Sequence, residues 1–82
     1  MKYTKDEDFI RKFGKRLKKL REAKGYSQDE FCSLTGLSKS QIFRTELGKI
    51  NTSISHVALY AKLLELDVKM LFDFDEETTI EQ

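Results

Sequence analysis

The 82-residue chain contains no proline, no tryptophan, one cysteine, one histidine and four glycines. A lone Cys32 cannot form an internal disulfide and has no cysteine neighbours for a zinc site, so a reducing compartment is expected. With one histidine, one cysteine and no glycine-rich phosphate loop, neither a nucleophile–base pair nor a metal cluster can be assembled. Catalysis, a metal and a cofactor are therefore not expected, and no segment suggests a small-molecule pocket. No run approaches the roughly 18 consecutive apolar residues of a membrane span, and the charged start lacks the apolar region of a secretory leader. A cytoplasmic protein without a membrane partner is the expectation. Ile, Val and Thr never alternate over a strand-length run, so the chain reads as all-α.

What is present is charge, unevenly placed. The formal total is only +1, but residues 1–50 carry 13 basic and 7 acidic side chains, whereas residues 51–82 carry 2 basic and 7 acidic. Such asymmetry hints at one half that faces nucleic acid and one acidic half. A domain of this size buries only about 60% of the surface its unfolded chain exposes, so help from a second subunit is plausible.

Capping signals divide the chain into five helices. Thr4 and Glu7 fit a capping box opening a first helix, whose Phe9, Ile10, Phe13, Leu17 and Leu20 recur at helical spacing and which ends at Gly25. Gly14 lies inside it at a cost of about 1 kcal/mol relative to Ala, which a close helix crossing would explain. Lys15, Arg16, Lys18 and Lys19 read as a solvated face of that helix. Ser27 and Glu30 form a second box with Tyr26 and Phe31 as its hydrophobic staple. Ser38 and Gln41 repeat the box with Leu37 and Ile42, giving short helices at about 28–34 and 39–47. Ser53 caps a fourth helix carrying Ile54, Val57, Tyr60, Ala61 and Leu64, and Asp67 caps a short fifth with Val68, Leu71 and Phe72. One domain over residues 1–72 and an acidic tail over residues 73–82 follow from this division. His56 reads as a surface residue and Cys32 as a small buried one.

Two short helices joined by Thr35-Gly36-Leu37-Ser38 make a helix-turn-helix over about residues 28–47. The second of them carries Lys39, Ser40, Phe43 and Arg44 on the side opposite Ile42. A helix presenting such residues suits the major groove of B-DNA, where Lys and Arg donate to guanine O6 and N7. On Gly14 to Glu22, Tyr26 to Phe31, Gly36 to Ile42 and Glu46 to Lys49, with the order kept through Leu64 and the Asp67–Phe72 segment, the sequence resembles the lambda-repressor-like, Cro-type (XRE) helix-turn-helix regulators.

The resemblance implies a compact five-helix DNA-binding domain and a role for each matched residue. Lys39, Ser40 and Arg44 fall on base-reading positions, and Phe43 beside them either meets a thymine methyl or packs onto a neighbouring helix. Gln28, Ser38, Gln41, Lys49 and Asn51 match phosphate-contacting positions. Arg21 and Glu46 occupy the family's structural ion pair. Departures are Thr45 in place of a large apolar residue, Leu47 in place of Arg or Asn, Thr52 in place of Pro and Glu65 in place of a helix-ending Gly. Leu59, Leu63 and Met70 fall where polar residues are tolerated, and such an apolar surplus marks a homodimer interface or a filled core. The function implied is a sequence-specific regulator binding a pseudo-palindromic operator in double-stranded DNA as a homodimer, in the manner of repressors, restriction-modification controllers or phage switch proteins. The alternative is an antitoxin or adaptor that holds a partner protein through its last two helices.

Overall fold

The chain enters its first helix at Asp6, whose carboxylate accepts the Phe9 amide N–H at 3.0 Å. The box expected from Thr4 is therefore not what starts this helix; Thr4 itself lies outside the residues 5–74 that the computed structural model describes. Glu7 and Asp8 follow in the first turn, where negative charge meets the positive end of the helix dipole. Four α-helices result, α1 (Glu7–Ala23), α2 (Gln28–Thr35), α3 (Lys39–Glu46) and α4 (Ile54–Leu64), then a 3-10 helix at Val68–Phe72, with no strand among the described residues. The fifth element is 3-10 rather than α, and the Asp67 side chain makes no capping bond; its carbonyl accepts the Met70 amide instead.

The remaining starts are built as their sequences predict, with one exception. Ser27 and Glu30 form both halves of a capping box, and the Tyr26 and Phe31 rings stack with centroids 6.3 Å apart. Ser53 accepts the His56 amide N–H at the head of α4. Ser38 accepts the Gln41 N–H at 3.1 Å, but the Gln41 side chain does not return the bond. Its amide lies 3.3 Å from Nδ1 of His56, so His56 is a half-buried link between α3 and α4 and not a surface residue. At the end of α4, Glu65 takes the left-handed φ of 57° that glycine adopts without strain. Its carboxylate pairs with Lys24, and that hydrogen bond holds the Glu65 carboxyl below its ordinary pKa.

The core comprises Phe13, Leu17, Phe31, Ile42, Tyr60, Ala61, Leu64 and Leu71, with Leu20, Tyr26, Cys32, Leu37, Val57, Leu63, Leu66, Phe72 and Phe74 packed around it. Cys32 is half-buried at the edge of this cluster. Phe74, beyond the expected domain end at residue 72, packs edge-on against Phe9 at 5.2 Å; residues 75–82 of the acidic tail lie outside the described residues. Burial pushes the Tyr60 hydroxyl above its ordinary pKa, with nearby Thr45 acting in the opposite direction. Arg16, expected on a solvated face, is 2% exposed and donates from Nε to the Met70 carbonyl at 2.9 Å. This bond fastens the 3-10 helix to α1. Conversely, Ile54 contributes nothing to the core and is 87% exposed.

Helices α1 and α3 cross at backbone contact. A Cβ on Gly14 would stand 2.3 Å from the Thr45 carbonyl oxygen and 2.7 Å from that of Glu46, so only glycine fits. Gly48, just past α3 at φ +77°, meets Arg11 in the same way, with its notional Cβ 2.6 Å from the Arg11 Cα. Beside this crossing Arg21 forks onto Glu46, Nε to Oε2 at 2.6 Å and Nη2 to Oε1 at 3.1 Å, and Nη1 donates to the Tyr26 carbonyl at 2.7 Å. The hydrogen bond that Arg21 donates to Glu46 raises the Arg21 pKa above its already high ordinary value.

Two stability predictions follow from the crossing. Gly14→Ala will lower the unfolding free energy by about 2 kcal/mol in urea denaturation, the overpacking penalty exceeding the helix-propensity gain of about 1 kcal/mol. A neutral or stabilised variant would show that the helices separate freely. Glu46→Gln, similar in shape but uncharged, leaves the Arg21 guanidinium buried without its counter-ion and will cost about 3 kcal/mol, read from the same urea midpoints.

Candidate nucleic-acid interface

Helix α3 is short, and its two sides differ sharply. Ile42, Thr45 and Glu46 face inward with exposures of 0%, 1% and 7%, whereas Lys39, Ser40, Phe43 and Arg44 are all exposed. The division follows from helical phase: positions 39, 40, 43 and 44 share one side, and burial of Ile42 turns them outward. Phe43 is 50% exposed and Leu47, one turn further, 49%. The polar group missing at position 47 is thus replaced by an apolar side chain on the same outer surface.

The other expected contact residues are distributed around this face. Lys49 and Asn51 lie exposed in the loop after α3, and the Lys49 amide donates to the Arg44 carbonyl at 2.9 Å, which fixes where that loop departs. Gln28, the first residue of α2, is half-buried and donates from Nε2 to Glu46 Oε1 at 3.1 Å. Its amide nitrogen therefore shares the Arg21–Glu46 network, and its Oε1 is the remaining acceptor. Ser38 is exposed, but Gln41 is half-buried beside His56. The fold exposes Lys39, Ser40, Phe43 and Arg44 together on α3, with Gln28 lining the cleft beside Phe43 and Ser38 and Lys49 flanking the helix along the chain, whereas Asn51 lines a separate cleft with Phe9, Ile10 and Phe13. Gln41 is turned toward α4.

Two residues that the sequence placed in a solvated run come to this surface as well. Lys15 and Lys18 line a shallow cleft of about 190 Å³ together with Gln28, Phe43, Glu46 and Leu47. Their i, i+3 spacing on α1 is a signal that exists in the sequence, but only the α1–α3 crossing shows which neighbours they meet. The outward Lys39 is also engaged: its ammonium stands 3.1 Å from Asp29 Oδ1 on α2. The face is thus cationic with an acid at one corner.

The residues expected at a subunit interface lie elsewhere. Leu59, Leu63 and Met70 are half-buried, and Leu63 packs on the core. Ile54 at 87% and Val68 at 47% exposure are more open apolar side chains, and sequence periodicity did not separate these two from core positions. Among the described residues no group of His, Cys, Asp or Glu is placed to hold a metal ion, and no helix is long and apolar enough to cross a membrane.

The chain is 38% identical to the restriction-modification controller protein C.AhdI from Aeromonas hydrophila, with a TM-score of 0.73 over 79% of this chain and 97% of that one. It is 30% identical to an HTH_3 family transcriptional regulator from Vibrio cholerae, with a TM-score of 0.77 over 87% of this chain and 41% of that one. A hypothetical transcription factor from Neisseria shares the fold, with a TM-score of 0.77 at 20% identity. In sequence, the chain is 31% identical over 71 residues to YonR, a prophage-derived, uncharacterized HTH-type transcriptional regulator of Bacillus subtilis, and the match spans 66% of that relative's length. Residues 17–71, more than half of the chain, match the helix-turn-helix family HTH_3, and the protein belongs to this XRE-type, Cro-like family of DNA-binding transcriptional regulators.

Proposed function

We propose that the protein is a sequence-specific regulator that binds a pseudo-palindromic operator in double-stranded DNA as a homodimer. The observation that carries this reading is the outer face of α3, where Lys39, Ser40, Phe43 and Arg44 are exposed together while the inner face is locked into the core. In the major groove Lys39 and Arg44 donate to guanine O6 and N7, Ser40 bonds either kind of base, and Phe43 covers a thymine methyl. Gln28 through the Nε2 hydrogen not given to Glu46, Ser38 through its hydroxyl hydrogen, and Lys49 and Asn51 in the loop contact phosphates on either side. Gln41 joins them only if it leaves His56. Lys15 and Lys18 add to the phosphate set from the α1 side of the cleft.

Two copies reading one operator place their recognition helices about 34 Å apart, one turn of DNA. We assign their contact to the α4 and 3-10 helix surface, where Leu59, Leu63 and Met70 lie with the more exposed Val68. Similarity to C.AhdI along nearly all of that protein's length supports a controller of a restriction-modification system as the regulatory setting.

Selection from random duplexes followed by sequencing tests the reading: an inverted repeat with half-sites one turn apart is expected, and failure to enrich any sequence would overturn it. On the selected duplex, Arg44→Ala will cost about 1–3 kcal/mol while binding to scrambled duplex changes little, because the lost contact is to bases. Equal losses on both would remove Arg44 from the base-reading set. Lys49→Ala will weaken both duplexes alike and flatten the dependence of log K on log salt by about 0.9, as expected for one phosphate contact. An unchanged slope in the titration would refute that contact.

A further inference from the structure

We infer that Asp29 is a specificity-determining residue that acts by positioning Lys39, an inference that rests on the base-reading role proposed for Lys39. Asp29 is the second residue of α2 and Lys39 the first of α3, and the turn between the helices brings carboxylate and ammonium to 3.1 Å. Their side chains are 77% and 61% exposed. An ion pair this open adds little to stability. Its consequence is where the ammonium sits and what charge the face presents there.

A lysine on a mobile four-carbon stem reaches any phosphate within range, and such contacts raise affinity for every sequence alike. Beside Asp29 the two outcomes separate. The ammonium has three donors, so one N–H can stay on the carboxylate while another reaches the O6 or N7 of a guanine, which is a neutral acceptor. A phosphate in the same place brings a second anion against Asp29, and like charges repel. Asp29 therefore disfavours the sequence-independent contact of Lys39 more than the sequence-dependent one, a repulsive element that sharpens discrimination.

The test compares wild type, Asp29→Asn, Lys39→Gln and the double variant by fluorescence anisotropy on the selected duplex and on a scrambled duplex across a salt series. Urea midpoints confirm that all four proteins fold. Asp29→Asn is expected to bind scrambled duplex several-fold more tightly with a salt slope steeper by about 0.9, while affinity for the selected duplex stays within about two-fold. The ratio of the two affinities falls accordingly. In the Lys39→Gln background Asp29→Asn leaves that ratio unchanged. A ratio unaltered by Asp29→Asn alone, or lowered equally in the absence of Lys39, would overturn the proposal and leave the DNA-binding reading standing. If wild type fails to discriminate the duplexes at all, the base-reading role of Lys39 fails and this inference with it.

Discussion

The forked contact between Arg21 and Glu46 is the constraint through which the rest of the molecule is aligned. It joins the last turn of α1 to the last residue of α3, and Gln28 at the start of α2 donates to the same carboxylate. Three helices thus converge on one buried anion. A buried ion pair is a poor source of net stability, since desolvating two charges offsets most of their attraction. What this one supplies is geometry: two parallel N–H···O bonds fix both distance and angle, and the third bond to the Tyr26 carbonyl fixes the chain where it leaves α1.

That alignment works because the backbones touch. Gly14 lets α1 approach the carbonyls that end α3, and Gly48 lets the following turn approach Arg11, so the outer face of α3 is held at a set height above α1. Recognition of base edges depends on displacements well under the size of an atom, and a helix of eight residues would not hold such a position by its own stability. Its inner side chains Ile42, Thr45 and Glu46 are nearly inaccessible, and Thr45 is further tied to the Gln41 carbonyl at 2.7 Å. Thr45, smaller than the large apolar residue expected there, is accommodated by bonding to its own helix.

Local signals were legible where a few adjacent residues decide the outcome. The Ser27–Glu30 box, the Tyr26–Phe31 staple and the Ser53 cap involve partners within five positions, and the close crossing at Gly14 was implied by a glycine inside a strong helix. Signals were lost where a distant partner decides. Lys15, Arg16, Lys18 and Lys19 look alike in sequence, yet Arg16 is buried because a carbonyl 54 positions away, that of Met70, receives it. Gln41 was expected to complete a cap, but His56 on α4 takes its amide. Thr4 and Asp6 are both good helix-starting residues two positions apart, and composition alone does not rank them. Position 54 fits the apolar rhythm of α4, but at the helix start no neighbour covers it, so Ile54 stays in water.

The charged residues divide into two populations with different physical roles. Arg16, Arg21 and Glu46 are almost wholly buried, and their bonds pin α1 to the 3-10 helix, to α3 and to the turn before α2. Lys39, Arg44 and Lys49 stand in solvent, where ion pairs are weak and partners exchange readily. The first population cannot rearrange without unfolding part of the domain, so it provides a fixed platform. The second can trade water or a neighbouring carboxylate for a ligand at little cost. The two populations also explain why a net charge of only +1 is compatible with the proposed binding of a polyanion. The 2 basic and 7 acidic residues of the last 32 positions lower the total without neutralising the exposed Lys39 and Arg44 of α3 or the Lys15 and Lys18 of the adjoining cleft, because screening limits the reach of each charge to roughly 8–10 Å at physiological salt.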